Sequence, residues 1–236
     1  MIGFEPLKVP VTLIVVIKHL LTMTAGLQWD EFSSSSWSDM QRTPDWVEFV
    51  MKRPLILKPG SRFAYNSGAS HILSVIIKKI SGKSAAEFGA QHLFDRMGIT
   101  DIEWPTDSRG DNFGGWGMSL KPRDMAKIGY LYLKKGMWEG KQLIPKEFVR
   151  NSIIRHIGGG IPMFTPYGYQ WWVTNETGYN AFFAGGYGGQ FIYVIPTLEM
   201  IVVITADPNV PSPPSNEQIR SIIRTFIIPS LKDGSH

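Results

Sequence analysis

The sequence predicts an α+β protein, a mainly helical region followed by an antiparallel sheet and a C-terminal helix. Three observations lead there. Apolar residues recur at helical spacing through most of the first 155 of the 236 residues. After Tyr167 the pattern changes to short runs rich in aromatic and β-branched residues. Residues 216–228 then return to an amphipathic helical pattern. Helices grouped ahead of strands indicate an α+β arrangement. The expected organisation is a helical region over 1–155 and a sheet with its helix over 156–236, together one domain.

Each element has a local reason. Residues 19–27 are apolar enough for a short helix, stopped by Gly26. Residues 33–38 are polar and read as a loop or a helix entry. Asp45 precedes the periodic Trp46, Val47, Phe49 and Val50, where an acidic side chain favours a helix start. Lys58, Pro59, Gly60 and Ser61 supply turn chemistry. Ile72, Leu73, Ile76, Ile77 and Ile80 form one apolar stripe on a helix stopped near Gly82. Ser84 with Glu87 makes a capping box for a helix reaching Met97 and Gly98. Pro122 opens another helix, with Met125, Ile128, Leu131 and Tyr132 on one face and Gly136 at its end. Residues 145–154 predict a further short helix, and strands are expected over 169–173, 181–183, 191–195 and 200–205.

Composition narrows the function classes. Hydrophobic residues make up 43% and charged residues 19%, as expected of a globular chain. The net charge is +4, but the basic residues are scattered, so no nucleic-acid partner is expected. The chain has no cysteine, which removes disulfides, thiolate chemistry and Cys-type zinc sites. His19, His71, His92 and His156 show no metal-ligand spacing, so neither a metal nor another cofactor is expected. The apolar run over 9–17 is interrupted by Pro10 and is too short to span a bilayer. It reads as a buried segment, no membrane partner is expected, and the compartment stays undecided. Residues 234–236 read as an expression remnant.

The most informative stretch is 62–73, where Tyr65 and Ser67 lie in a loop that opens an apolar helix. That spacing presents a phenol and a short hydrogen-bonding side chain together. It resembles the second motif, Tyr-x-Asn or Tyr-x-Ser, of the serine β-lactamase and penicillin-binding-protein superfamily. The branch it is most similar to holds class C β-lactamases, esterases and 6-aminohexanoate-dimer hydrolases. Residues 19–27, 58–65, 123–129, 140–145, 167–172 and 185–190 resemble further family segments, in the family's order.

The resemblance implies a β-lactamase-like fold and hydrolysis of a small-molecule ester or amide through an acyl-serine. It implies Tyr65 and Ser67 as residues of the catalytic motif. The third family motif, Lys-Thr-Gly or His-x-Gly, aligns with Ala184, Gly185 and Gly186, where strand amides help hold the oxyanion. Trp172 and Tyr187 are expected to join them in contacting substrate. Ala184 replaces the family's cationic residue, which favours an esterase- or amidase-like ancestor over an efficient β-lactamase. On the residues alone, Tyr65 fits a helix cap filling a core pocket, and 184–186 fit a plain glycine-rich hairpin. Strand alternation divides Trp171 and Trp172 between core and cleft wall.

One family feature is missing: no Ser-x-x-Lys occurs in the 236 residues. The expectation is therefore an N-terminally incomplete family member with little activity of its own. An alternative is a non-catalytic ligand-binding or interaction module that keeps the cleft. Another is a serine hydrolase with a substitute nucleophile, Ser67 or Ser74. Ser74 is followed by Lys78 at a spacing of four, though a helix surface is the expected place for that pair. Loss of a nucleophile helix and two strands would expose apolar surface, so self-association is expected.

Overall fold

The computed structural model describes residues 15–32 and 36–233, so the expectations for 9–14, 33–35 and 234–236 lie outside them. The chain divides into two compact units, Met1–Ser119 and Leu120–His236. Each is described by itself.

The first unit is helical. It holds α1 (Ile17–Leu21), α2 (Ser36–Gln41), α3 (Trp46–Met51), α4 (Ser67–Ser81) and α5 (Ala85–Gly89). A π turn and a 3-10 turn carry α5 on to Met97. Three sequence signals act as expected. Asp45 caps α3, its carboxylate accepting from the Glu48 amide at 2.8 Å. Ser84 and Glu87 form the capping box of α5. Gly82 ends α4 in the left-handed conformation, φ 72°.

One expectation needs correction. The helix expected over 19–27 stops at Leu21, and Met23 takes φ 57°, which no helix accommodates. Residues 23–26 serve as a backbone scaffold instead. The Thr24 carbonyl accepts from Gly60 N, the Met23 carbonyl from Ala64 N, and the Gly26 carbonyl from Ile56 N, each at 2.8–2.9 Å. Gly26 is therefore no helix stop: a Cβ there would collide with the Leu57 carbonyl, at φ 77°.

The expected apolar helix is α4, buried most fully at its N-terminal end. Its isoleucine stripe is only partly buried, and Ile80 is 78% exposed. The fully buried part is its first turn, Ser67, Gly68, Ala69, Ser70 and His71, with Ser74 one turn later. Small residues win there because other chain segments come close. A Cβ on Gly68 would meet Trp29 and Val50, and a Cβ on Gly114 would collide with the Ser70 carbonyl. The core beside it joins Leu20, Leu27, Met40, Trp46, Val50 and Leu55. Each such side chain contributes roughly 1.5–3 kcal/mol by leaving water.

The second unit is built on a four-stranded antiparallel sheet whose strands neighbour one another in chain order. Its elements are α6 (Pro122–Leu133), the short hairpin β1 (Met137–Trp138) and β2 (Lys141–Gln142), and α7 (Lys146–Ser152). The sheet strands are β3 (Trp172–Thr174), β4 (Ala181–Gly186), β5 (Gln190–Ile195) and β6 (Met200–Ile204). The chain closes with α8 (Asn216–Ile222), a π turn and α9 (Ile228–Asp233). Alternation along the strands separates two cores. Phe182, Ile192 and Val194 pack with Trp171 against Met125, Ile128 and Tyr132 of α6. Phe183, Phe191 and Tyr193 stack on the opposite face, where Arg220 of α8 lies 5.9 Å from the Phe183 ring centre.

The strand expected over 169–173 begins only at Trp172, because Gln170 at φ 60° cannot continue an extended chain. β4 runs three residues past its expected end, to Gly186. No helix among the described residues is long and apolar enough to cross a membrane.

A polar pair inside the first unit makes stability depend on pH. His71 is 0% exposed, and its Nε2 lies 3.3 Å from Asp107 Oδ2. Burial lowers the imidazole pKa, against the opposing pull of Asp107, Asp111 and Asp45. The folded state therefore favours the neutral ring, while the unfolded chain takes up a proton near the ordinary value of about 6.5. This contribution is complete above that pH and is lost as pH falls below it. Urea unfolding at pH 7.5 and pH 5 should show lower stability at pH 5. His71→Gln should flatten part of that slope, and an unchanged slope would contradict the assignment.

Candidate functional site

The loop that carries Tyr65 is fixed from two sides. On its approach, the backbone bonds from Gly60 to Thr24 and from Ala64 to Met23 hold residues 60–64 in place. Beyond it, Asn66 caps α4, its side-chain oxygen accepting from Ala69 N at 2.8 Å. Tyr65 thus stands immediately before the cap of a 15-residue helix. Its ring is partly buried, with the Phe32 ring 6.2 Å away between centres. Desolvation pushes the phenol pKa up to about 12, and the negative charge of Glu31 adds to the rise.

Glu31 meets the first turn of α4 directly. Its Oε2 accepts from the Ser67 amide at 3.0 Å and from the Trp29 indole N–H at 2.6 Å. Its Oε1 accepts from the Ser67 hydroxyl. A carboxylate here satisfies an orphan helix amide and faces the positive end of the helix dipole, worth about 0.3–1 kcal/mol. The opposite flank is closed by Gly115, where a Cβ would lie 2.9 Å from that of Ser67. Ser67 is consequently only 4% exposed.

The structure also places the two candidate substitute nucleophiles. Ser67 is buried, and its hydroxyl proton is committed to Glu31. Ser74 is 5% exposed, which corrects the expectation of a helix surface. The candidate Ser74–Lys78 pair is not formed. Lys78 Nζ bonds instead to Asp111 Oδ1 at 2.7 Å, while Ser74 Oγ is buried with no hydrogen-bond partner. Neither serine has a base in hydrogen-bond reach and an open path to solvent together.

In the second unit, Ala184, Gly185 and Gly186 form the end of β4, opposite Ile192, Phe191 and Gln190 of β5. They run past the last residue of β4 that pairs with β3, Phe183. Ala184 packs on the apolar α6-side core. Gly185 lets Met163 approach, since a Cβ there would sit 2.5 Å from the methionine methyl. Tyr187 lies in the β4–β5 turn and is 78% exposed, available to a ligand. Trp172 is 2% exposed and packs on Tyr167 and Phe183. Trp171 is buried against Tyr132 and Phe182. Both tryptophans thus belong to the core of this unit, on opposite faces, and the expected division between core and cleft wall is not found.

Three residues around Tyr65 were not read from the sequence: Trp29, Glu31 and Asn66. Asn66 had a signal, since an Asn directly before a small and apolar helical run reads as an N-cap. Glu31 had none, because 36 residues separate it from Ser67. Among the described residues, no group of three or more His, Asp or Glu is placed to hold a metal ion.

Comparison with known proteins places these features in a family. The family model described as Beta-lactamase matches residues 11–225. The 6-aminohexanoate-dimer hydrolase of Paenarthrobacter ureafaciens is 25% identical over 154 residues, covering 60% of this chain and 38% of that protein. The Lovastatin esterase of Penicillium rubens is 26% identical over 132 residues, covering 53% of this chain and 33% of that protein. The chain therefore spans well under half the length of both relatives. The octameric penicillin-binding protein homologue from Pyrococcus abyssi has the same fold, with a TM-score of 0.69 at 19% identity. That match covers 98% of this chain and 61% of the other.

The cap beneath Tyr65 gives a direct test. Asn66→Ala should lower stability by about 1 kcal/mol, since it leaves the Ala69 amide without its acceptor. Asn66→Asp should recover most of that loss in chemical denaturation. An Asn66→Ala variant as stable as the parent would mean that the cap contributes nothing.

Proposed function

The chain belongs to the Beta-lactamase family, and on that premise we propose that it carries the tyrosine portion of an acyl-serine ester or amide hydrolase site. The observation that carries the proposal is Tyr65, a partly buried, desolvated phenol held at the start of α4 by Asn66. With its pKa pushed up to about 12, Tyr65 keeps its proton at neutral pH. A phenol in that state serves as a proton donor, for example to a departing amine or alkoxide. It would act as a base only if a cation lowered its pKa, and in the family the Ser-x-x-Lys lysine has that place.

Substrate class follows from the second unit and from the relatives. The relatives matched include a 6-aminohexanoate-dimer hydrolase and an esterase by name. Ala184 offers no charge to a substrate carboxylate and is turned into an apolar core. Both points favour a neutral ester or amide over a penicillin. Gly185 and Gly186, past the end of β3 pairing, are the backbone groups proposed to face the developing oxyanion.

By themselves the 236 residues are proposed to be inactive. They contain no Ser-x-x-Lys, and Ser67 and Ser74 are both buried. Oxyanion donors assist an attack but do not replace the nucleophile. The purified chain should therefore hydrolyse p-nitrophenyl esters and a chromogenic cephalosporin no faster than its Tyr65→Phe variant. Intact mass after a fluorophosphonate or penicillin probe should show no stoichiometric adduct. One adduct per chain, mapped to a serine by peptide mass spectrometry, would overturn the proposal and establish a substitute nucleophile.

A further inference from the structure

The carboxylate of Glu31 is bonded to Ser67 of the Tyr65–Ser67 motif, and the proposed chemistry gives it no task. It accepts three hydrogen bonds, from the Ser67 amide, the Ser67 hydroxyl and the Trp29 indole. Such a carboxylate is well satisfied and held in one position. The same short segment also supplies Phe32, whose ring lies against Tyr65, and Trp29, whose ring fills the space beside Gly68. Residues 29–32 therefore form a cradle for the motif, with Glu31 at its centre.

We propose that Glu31 is a positioning residue for Tyr65: by binding Ser67 through both its amide and its hydroxyl, it fixes the turn that presents the phenol and commits Tyr65 to the role of proton donor. The proposal deepens the hydrolase reading and rests on it for the word donor. The chemistry is simple. Ser67 gives its hydroxyl proton to Glu31, so it has none left to give a substrate or Tyr65. A negative charge fixed beside the phenol disfavours a second negative charge on it, and Glu31 contributes to the raised pKa in that sense. Ser67 thus serves the motif as an anchor and not as a donor.

The test needs no turnover, so it stands or falls independently of hydrolysis. The full chain is labelled with 3-fluorotyrosine, whose ring fluorine brings phenol titration into a range a folded protein withstands. The 19F resonance of Tyr65 is assigned by its loss in Tyr65→Phe. In the parent, Tyr65 should titrate well above the ordinary value for this label. Glu31→Gln keeps the shape but removes the charge, and should move the Tyr65 titration down by about half a pH unit or more. Glu31→Asp should return it most of the way. Ser67→Ala keeps the charge but removes the hydroxyl bond; its titration should stay high, while its Tyr65 resonance shifts and broadens as the turn loosens. This variant also serves if Glu31→Gln folds poorly. A Tyr65 titration unchanged in a folded Glu31→Gln chain would overturn the proposal, as would a Ser67→Ala resonance identical to the parent. Activity found or missing in the esterase assay bears on the hydrolase reading alone.

Discussion

Close approach of the backbone to the first two turns of α4 is the constraint on which the first unit depends. Gly68 admits the Trp29 ring and Val50, and Gly114 and Gly115 lie against Ser70, His71 and Ser67. A larger residue would displace backbone at Gly114 and Gly115, and the Trp29 and Val50 side chains at Gly68. The helix therefore buries a first turn of small and polar residues, while Ile72 and Ile76 pack partly buried on the core and Ile80 is exposed. That arrangement brings Glu31 within reach of Ser67, and it fixes where Tyr65 emerges.

Burying polar groups has a cost, and the unit meets it unevenly. Asn66, Ser67 and Asp111 are all bonded inside the unit. Ser74 Oγ and both His71 ring nitrogens make no hydrogen bond, and the His71–Asp107 contact is the nearest substitute. Each unsatisfied buried group forfeits about 1–3 kcal/mol. The aromatic packing around it offsets part of this, since the Trp46 ring lies 5.0 Å from His71 and stacks on Trp116. The motif helix is thus rigid at its N-terminal end and strained in polarity one turn later.

Much of the architecture was legible because it is encoded locally. The capping box at Ser84 and Glu87, the Asp45 cap and the Gly82 stop each depend on residues within four positions. The alternation of Phe182 and Phe183, or of Ile192 and Tyr193, likewise reveals two sheet faces to any reader of the strand. The misreadings share one cause. The run over 19–27 is apolar enough for a helix, yet Met23 and Gly26 are claimed by the 56–64 segment through backbone bonds. Ser74 and Lys78 look like a surface pair, yet Lys78 is claimed by Asp111, 33 residues on, and Ser74 is buried. The site divides in the same way. Tyr65 and Ser67 could be found from a motif, whereas Glu31 lies too far along the chain for any local pattern to reveal.

The measurement that bears most directly on this account is native-state hydrogen exchange across α4. If this small-residue end is clamped as described, amides 69–74 should exchange only through global unfolding, at the rate set by overall stability. They should then match the slowest amides of the first unit, although this helix end carries the candidate site. Exchange of 69–74 well ahead of that limit, with the core around Trp46 and Val50 still protected, would contradict the clamp. The fixed position of Tyr65 would fall with it.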